Sequence, residues 1–197
     1  MHADQESAEL LEALRVQSMS DIQRSAWLRD VWGKTQRNAA AFVAQALAAF
    51  GVEYALTGGT AMAVHGFSRA TQDIDLPLLV DADNHARLLR ALASLPRNAK
   101  ALGALRREWM DKGRSTALEG KIYIDLLYVA AGQSFESPKP HLHTVFFDRQ
   151  PAVIRDVDGL LLTKKTSREV DIPDRLKRER LSNALRMQAA SAERGPQ

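Results

Sequence analysis

The sequence predicts an α+β fold: a mixed β-sheet flanked by helices, with a helical extension at the N-terminus and a helix at the C-terminus. Three observations predict it. Residues 1–50 carry helical periodicity, short strand-like runs alternate with helical stretches from residue 52 onward, and the chain closes on a long basic helical stretch. Strands that alternate with helices imply a sheet covered by a helical layer.

Leu10, Leu11 and Leu14 make a first apolar stripe. Ile22, Trp27, Leu28, Val31 and Trp32 make a second, behind Ser20, whose spacing to Gln23 is that of a capping box. A third runs through Ala39, Phe42, Val43, Ala46, Leu47 and Phe50, and Gly51 fits a helix C-terminal cap. The pattern then changes. Residues 52–56 read as a short buried strand, and 60–65 as a short helix entered through Gly58 and Gly59. Residues 73–76 read as a strand by alternation, and 85–95 as an amphipathic helix stopped by Pro96. Residues 97–114 are basic and weakly helical, 121–130 form the clearest strand, and 132–142 read as a loop. Two further strands, 144–147 and 152–154, flank a turn at 148–151. A helix begins over 160–165, and a long basic one covers 173–192 with Pro173 near its start. Residues 1–38 are assigned to the N-terminal extension, and 39–197 to the main domain with its C-terminal basic helix.

Composition narrows the chemistry. A chain of 197 residues is about one domain and can bury a core without staples. With no cysteine there is no disulfide scaffold, Cys-based zinc site, iron–sulfur cluster or thiol nucleophile. A net charge of +3 is too small to indicate a nucleic-acid binder by itself. The polar, acidic opening does not read as a signal peptide, and the apolar run 39–50 is too short to span a bilayer. The expectation is a cytoplasmic protein with no membrane partner, whose chemistry uses carboxylates, hydroxyls, histidines or a bound metal.

Several motifs fall away. Gly33-Lys34-Thr35 ends like a phosphate-binding loop, but Leu28 stands where that loop needs its first glycine, and no strand precedes it. His141 and His143 form a His-x-His pair, read either as a metal pair on one strand face or as loop-edge histidines, the second favoured without further ligands. Trp27, Trp32 and Trp109 sit at apolar helical positions and are assigned to packing.

The carboxylates carry more. Asp-x-Asp occurs three times. Asp81/Asp83 lies where a strand gives way to a helix, with Asp83 or Asn84 placed to cap it, and Asp156/Asp158 precedes an apolar run, again as a cap. Asp73/Asp75 differs, because residues i and i+2 of a strand share a face while Ile74, Leu76 and Leu78 take the other. Like charges aimed together are unfavourable without a cation between them. Pro77 removes a ladder donor, so the strand is at an edge or near its end there. Asp125 lies inside an apolar strand, where a lone carboxylate needs a basic partner or a metal. Three acids on two strands suit Mg²⁺, including the two-ion clamp of phosphoryl transfer. Gly58-Gly59-Thr60, between a strand and a helix start, would let backbone amides approach a phosphate, with Thr60 adding a hydroxyl.

Leu56-Thr57-Gly58-Gly59-Thr60-Ala61, then Gly66-Phe67-Ser68-Arg69-Ala70-Thr71-Gln72-Asp73-Ile74-Asp75, then Ile124-Asp125-Leu126-Leu127, together resemble the nucleotidyltransferase superfamily typified by DNA polymerase β. The stretch is most similar to the AbiEii-type toxin branch and related minimal nucleotidyltransferases. Lys164, Arg168 and Asp171-Ile172-Pro173-Asp174 resemble that branch's helical ending. The resemblance implies the nucleotidyltransferase fold, with Asp73 and Asp75 binding two Mg²⁺ ions and Asp125 binding one while helping to activate an acceptor hydroxyl. It further implies that Gly58, Gly59 and Thr60 hold the triphosphate while Arg69 and Lys164 neutralise phosphate charge, a role Lys165 could also fill. Two positions depart from the pattern: Gly59 stands where many members have Ser, and Val170 where a basic residue often precedes the late aspartate.

The expected function is therefore Mg²⁺-dependent transfer of a nucleoside monophosphate from a nucleoside triphosphate to an acceptor hydroxyl. The resemblance implies RNA, often tRNA, as acceptor, and a toxin paired with an antitoxin protein. The basic residues gathered near the C-terminus, among them Arg175, Lys177, Arg178, Arg180 and Arg186, read equally as a phosphate-contacting stripe or as a solvated helix face. A catalytically inactive or antitoxin-like module acting by protein binding is the alternative. A metal-dependent glycosyltransferase using Asp-x-Asp leaves Gly58, Gly59 and Asp125 without a role.

Overall fold

The structure, a computed structural model, describes residues 2–67, 71, 73–95, 102, 105, 108, 112–119, 122–129, 135, 141–162 and 172–194. Helices α1 (His2–Gln17), α2 (Asp21–Val31) and α3 (Lys34–Ala49) come first. They lead to α4 (Gly58–Val64), β1 (Asp73–Pro77), α5 (Ala82–Ala93), β2 (Thr116–Leu118) and β3 (Tyr123–Leu127). A hairpin of β4 (Leu142–Phe147) and β5 (Gln150–Arg155) follows, then α6 (Val157–Leu162) and α7 (Ile172–Arg194). The class is the expected α+β, with a mixed sheet and flanking helices.

Local chemistry sets most element ends. Ser20 and Gln23 do form the capping box of α2, each side chain meeting the other's backbone N–H. The cap of α5 differs from expectation. Asp81 is the N-cap, accepting from the Asn84 N–H at 2.9 Å, because the helix starts a turn earlier than its apolar periodicity suggests. Asn84 instead turns inward and hydrogen-bonds the backbone of Glu53 and Leu79, tying α5 to the preceding segment. Asp156 caps α6 as expected, accepting from the Gly159 N–H at 2.7 Å. β2 has no signature in the sequence, because three residues are too few to show a period.

Parallel β1 and β3 pair in register, and β2 adds antiparallel to β3. The β4–β5 hairpin forms a second sheet. Residues 54–57, which overlap the strand expected at 52–56, link the two through isolated bridges. The Leu56 N–H donates to Val153 O at 2.8 Å and the Arg155 N–H to Leu56 O at 3.2 Å on one side. On the other, Ala55 and Thr57 donate to Pro77 O and Asp75 O, both at 3.1 Å. The resulting order is β4, β5, the linking segment, β1, β3, β2. Pro77 is the last residue of β1, where its missing N–H does least harm.

One face of this sheet lies on the main core. Ile74, Leu76, Ile124, Leu126, Leu56 and Ile154 pack there with Val43 and Leu47 of α3 and Leu88 and Leu92 of α5. A smaller cluster joins Ala61 and Met62 of α4 to Ala13 of α1, Leu160 of α6 and Leu181 of α7. His65, at the end of α4, is fully buried and binds both neighbours. Its Nε2–H donates to Arg155 O at 2.8 Å, so its Nδ1 is the acceptor for the Gln17 amide at 3.2 Å. Burial pushes its pKa down to about 4.

Four basic residues of α7 have partners within the protein. Lys177 pairs with Glu9 at 2.7 Å, Arg180 with Glu6 at 2.5 Å and Arg186 with Asp158 at 3.1 Å, while Arg178 is buried and donates to Leu160 O. The charge concentrated near the C-terminus thus docks α7 onto α1 and α6. The histidine pair divides as well: His141 sits 3.1 Å from Asp156, and the His143 ring packs 5.8 Å from that of His65. Trp32 packs in the core against Phe147, as expected, and Trp27 is half-buried with its indole N–H on Glu12. Trp109 lies outside the described residues. Among the described residues no helix is long and apolar enough to cross a membrane.

Candidate metal centre

The alternation of β1 sends Ile74 and Leu76 into the core and leaves Asp73 and Asp75 half-buried on the other face. β3 repeats the pattern, with Ile124 and Leu126 inward and Asp125 outward. The parallel register then sets Asp75 directly opposite Asp125 and Asp73 opposite Tyr123. Each of the three carboxylates offers an oxygen, and these oxygens all lie within 4.8 Å of one another. Among the described residues this is the one group of three or more His or acidic side chains so arranged.

Such a cluster is costly by itself, because acids facing each other across strands repel. The electrostatics record it: burial, and then the charge of Asp73, raise the proton affinity of Asp125 above that of an ordinary aspartate. A hard cation removes the penalty. Mg²⁺ binds oxygen at about 2.1 Å, so two donors on one ion lie about 3–4 Å apart. Paired ions about 3.5–4 Å apart accept a slightly wider set. Three all-oxygen donors within 4.8 Å of one another fit that description.

The glycine turn meets this cluster. Gly58 has φ +60, and a Cβ built on it would lie 1.8 Å from Asp75 Oδ2. Only glycine supplies both the left-handed backbone and the space. Gly59 has no such backbone demand, but its Cβ would fall 2.5 Å from Thr71 Cβ. Thr57, extended, is the N-cap residue of α4, and its N–H on Asp75 O fixes the turn to β1. Thr60 is 1% exposed, and its Oγ1 has no hydrogen-bond partner among the described residues. Thr71 donates from Oγ1 to Asp73 Oδ1 at 2.8 Å and lies 3.1 Å from Asp73 O.

Of the expected site residues, Asp73, Asp75, Asp125, Gly58, Gly59 and Thr60 converge or adjoin. Arg69 and Lys164, together with Lys165, Arg168 and Asp171, lie outside the described residues. Two further residues belong to the site or its sheet face. Thr71 enters the sequence reading only as part of a motif, although a hydroxyl two residues before a strand acid is a signal in itself. Arg155 follows the inward Ile154 on β5, so alternation turns it to the sheet face that bears the three acids. It is 1% exposed with its guanidinium 5.9 Å from the Phe135 ring, and burial brings its pKa down to about 10. No local pattern could reveal it, because a strand-end arginine ordinarily reads as exposed.

No family model matches the chain, and no curated protein matches it. Among solved structures it is similar to the antibiotic-resistance factor ANT(2'')-Ia, described in solution as having substrate-regulated conformation dynamics. The two share 15% identity over 81% of this chain and 96% of that one, with a TM-score of 0.44. The three carboxylates and the glycine turn, rather than that likeness, carry the functional reading.

Proposed function

We propose that the protein is a Mg²⁺-dependent nucleotidyltransferase that moves a nucleoside monophosphate from a nucleoside triphosphate to an acceptor hydroxyl. One observation carries the reading: the β1–β3 register brings Asp73, Asp75 and Asp125 within 4.8 Å of one another, with Asp75 lying against the Gly58 backbone. Asp73, Asp75 and Asp125 would hold Mg²⁺, which when bound supplies positive charge to the reacting phosphate and its leaving group. Gly58, Gly59 and Thr60 bind the triphosphate beside the acids, close enough to place its α-phosphorus for in-line attack. Arg69 and Lys164 neutralise the remaining phosphate charge. The acceptor oxygen forms a bond to the α-phosphorus, the α–β phosphoanhydride bond breaks, pyrophosphate leaves, and the acceptor proton passes to a carboxylate oxygen of Asp125.

The acceptor we place first is RNA, with tRNA foremost, and the biological role that of a toxin held in check by an antitoxin protein in the cytoplasm. The similarity of residues 56–75 to the AbiEii-type motifs supports this. The internal ion pairs of α7 favour a second reading, in which the acceptor is a small hydroxyl compound needing no basic track. One experiment separates them. The protein is incubated with each labelled nucleoside triphosphate, Mg²⁺, and either total RNA or a panel of polyhydroxyl small molecules, beside Asp75→Ala. Label on RNA supports the first reading, and label on a small molecule the second. No transfer anywhere, or equal transfer by Asp75→Ala, overturns the assignment.

A further inference from the structure

Thr71 stands between the two halves of the site. On one side its hydroxyl donates to Asp73 Oδ1 at 2.8 Å. On the other it rests on the bare Cα of Gly59, where an added Cβ would meet Thr71 Cβ at 2.5 Å, Oγ1 at 2.8 Å and Cγ2 at 3.1 Å. These contacts leave no room for a side chain at position 59. They also hold a β-branched residue whose χ1 is already restricted, so its hydroxyl points one way. A hydroxyl has one proton to give, and a charged carboxylate is a stronger acceptor than the Asp73 carbonyl oxygen 3.1 Å away.

We propose that Thr71 is a positioning residue for the metal centre: seated on Gly59, it fixes the plane of the Asp73 carboxylate toward Asp75 and Asp125. This rests on the metal-centre reading above. It gives Gly59 a second task besides admitting phosphate, since the missing side chain is what lets Thr71 reach Asp73. Groups that orient a metal ligand typically change affinity by about 10–100-fold when removed.

The test is Mn²⁺ binding to the full chain, followed by electron paramagnetic resonance and calorimetry, with urea unfolding of every variant in parallel. Thr71→Val and Thr71→Ala should each weaken Mn²⁺ binding about 10-fold or more. Thr71→Ser, which keeps the hydroxyl, should stay near wild type, and Gly59→Ala should weaken binding like Thr71→Val. Thr71→Ala adds no bulk, so it remains informative if Thr71→Val folds poorly. Wild-type affinity in the folded Val and Ala variants, with only their unfolding midpoints lowered, would mean a merely structural threonine and overturn the proposal. If wild type binds no Mn²⁺, the metal-centre reading falls and the proposal falls with it.

Discussion

Replacing Asp125 with Asn should make the metal-free protein more stable while removing its function. The three carboxylate oxygens lie within 4.8 Å of one another. At that separation one like-charge pair costs about 0.9 kcal/mol at the dielectric of water and about 3.5 kcal/mol at an effective value near 20. All three acids are half-exposed, so screening pulls the figure toward the lower limit. Asn keeps the volume and relieves two pairs, for a gain of about 2 kcal/mol. In a chain of this size that is about 4–8 °C in Tm. The assay is thermal and urea unfolding of wild type and Asp125→Asn in chelator, then with Mg²⁺. In chelator the variant should melt higher, and the difference should shrink in molar salt. With Mg²⁺ the order should narrow or invert, since saturation at about 100-fold above Kd adds about 2.7 kcal/mol to wild type. The variant has lost one ligand and gains less. If Asp125→Asn is no more stable in chelator, or Mg²⁺ leaves the wild-type midpoint unmoved, the reasoning from clustered charge is wrong.

Three more outcomes follow from the same geometry. Gly58→Ala should cost about 1–2 kcal/mol for the left-handed backbone alone, and its Cβ, built 1.8 Å from Asp75 Oδ2, must also displace that acid. Urea unfolding and Mn²⁺ binding should therefore both suffer, and wild-type Mn²⁺ affinity would separate the turn from the acid. His65 has a folded pKa of about 4 against 6.5 ordinarily, so the unfolded chain takes up its proton first. That stability is present above pH 6.5 and is lost as pH falls toward 4, to an extent of about 3 kcal/mol. The His143 ring beside it is shifted the same way, so His65→Gln should flatten much, not all, of the acid limb in urea unfolding followed against pH. Asp156→Ala removes the α6 cap and the partner of His141, and should lower unfolding stability by about 1 kcal/mol.

Part of the site is legible in the chain alone. The apolar–acid alternation of residues 73–76 assigns Asp73 and Asp75 to one face and Ile74 and Leu76 to the core, because a strand's side chains alternate whatever it pairs with. The Ser20–Gln23 box and the Gly58-Gly59 turn are local in the same sense. Features that depend on distant partners leave no such trace. Asp83 and Asn84 look like caps in the sequence, and Asp81 is the cap because Asn84 is drawn inward by Glu53 and Leu79. The bases of α7 look available for phosphate, yet Glu6, Glu9 and Asp158 stand beside them in the folded chain.

The sequence by itself determined which residues face the same way along each strand and where the chain must turn, since both follow from the period of the backbone and the torsions of single residues. Only the tertiary structure decided that Asp75 stands opposite Asp125, that Gly58 touches Asp75, and that Thr71 fills the space left by Gly59. Those contacts join segments far apart in the chain, and their register is set by core packing on the opposite face of the sheet, where Ile74, Leu76, Ile124 and Leu126 interlock.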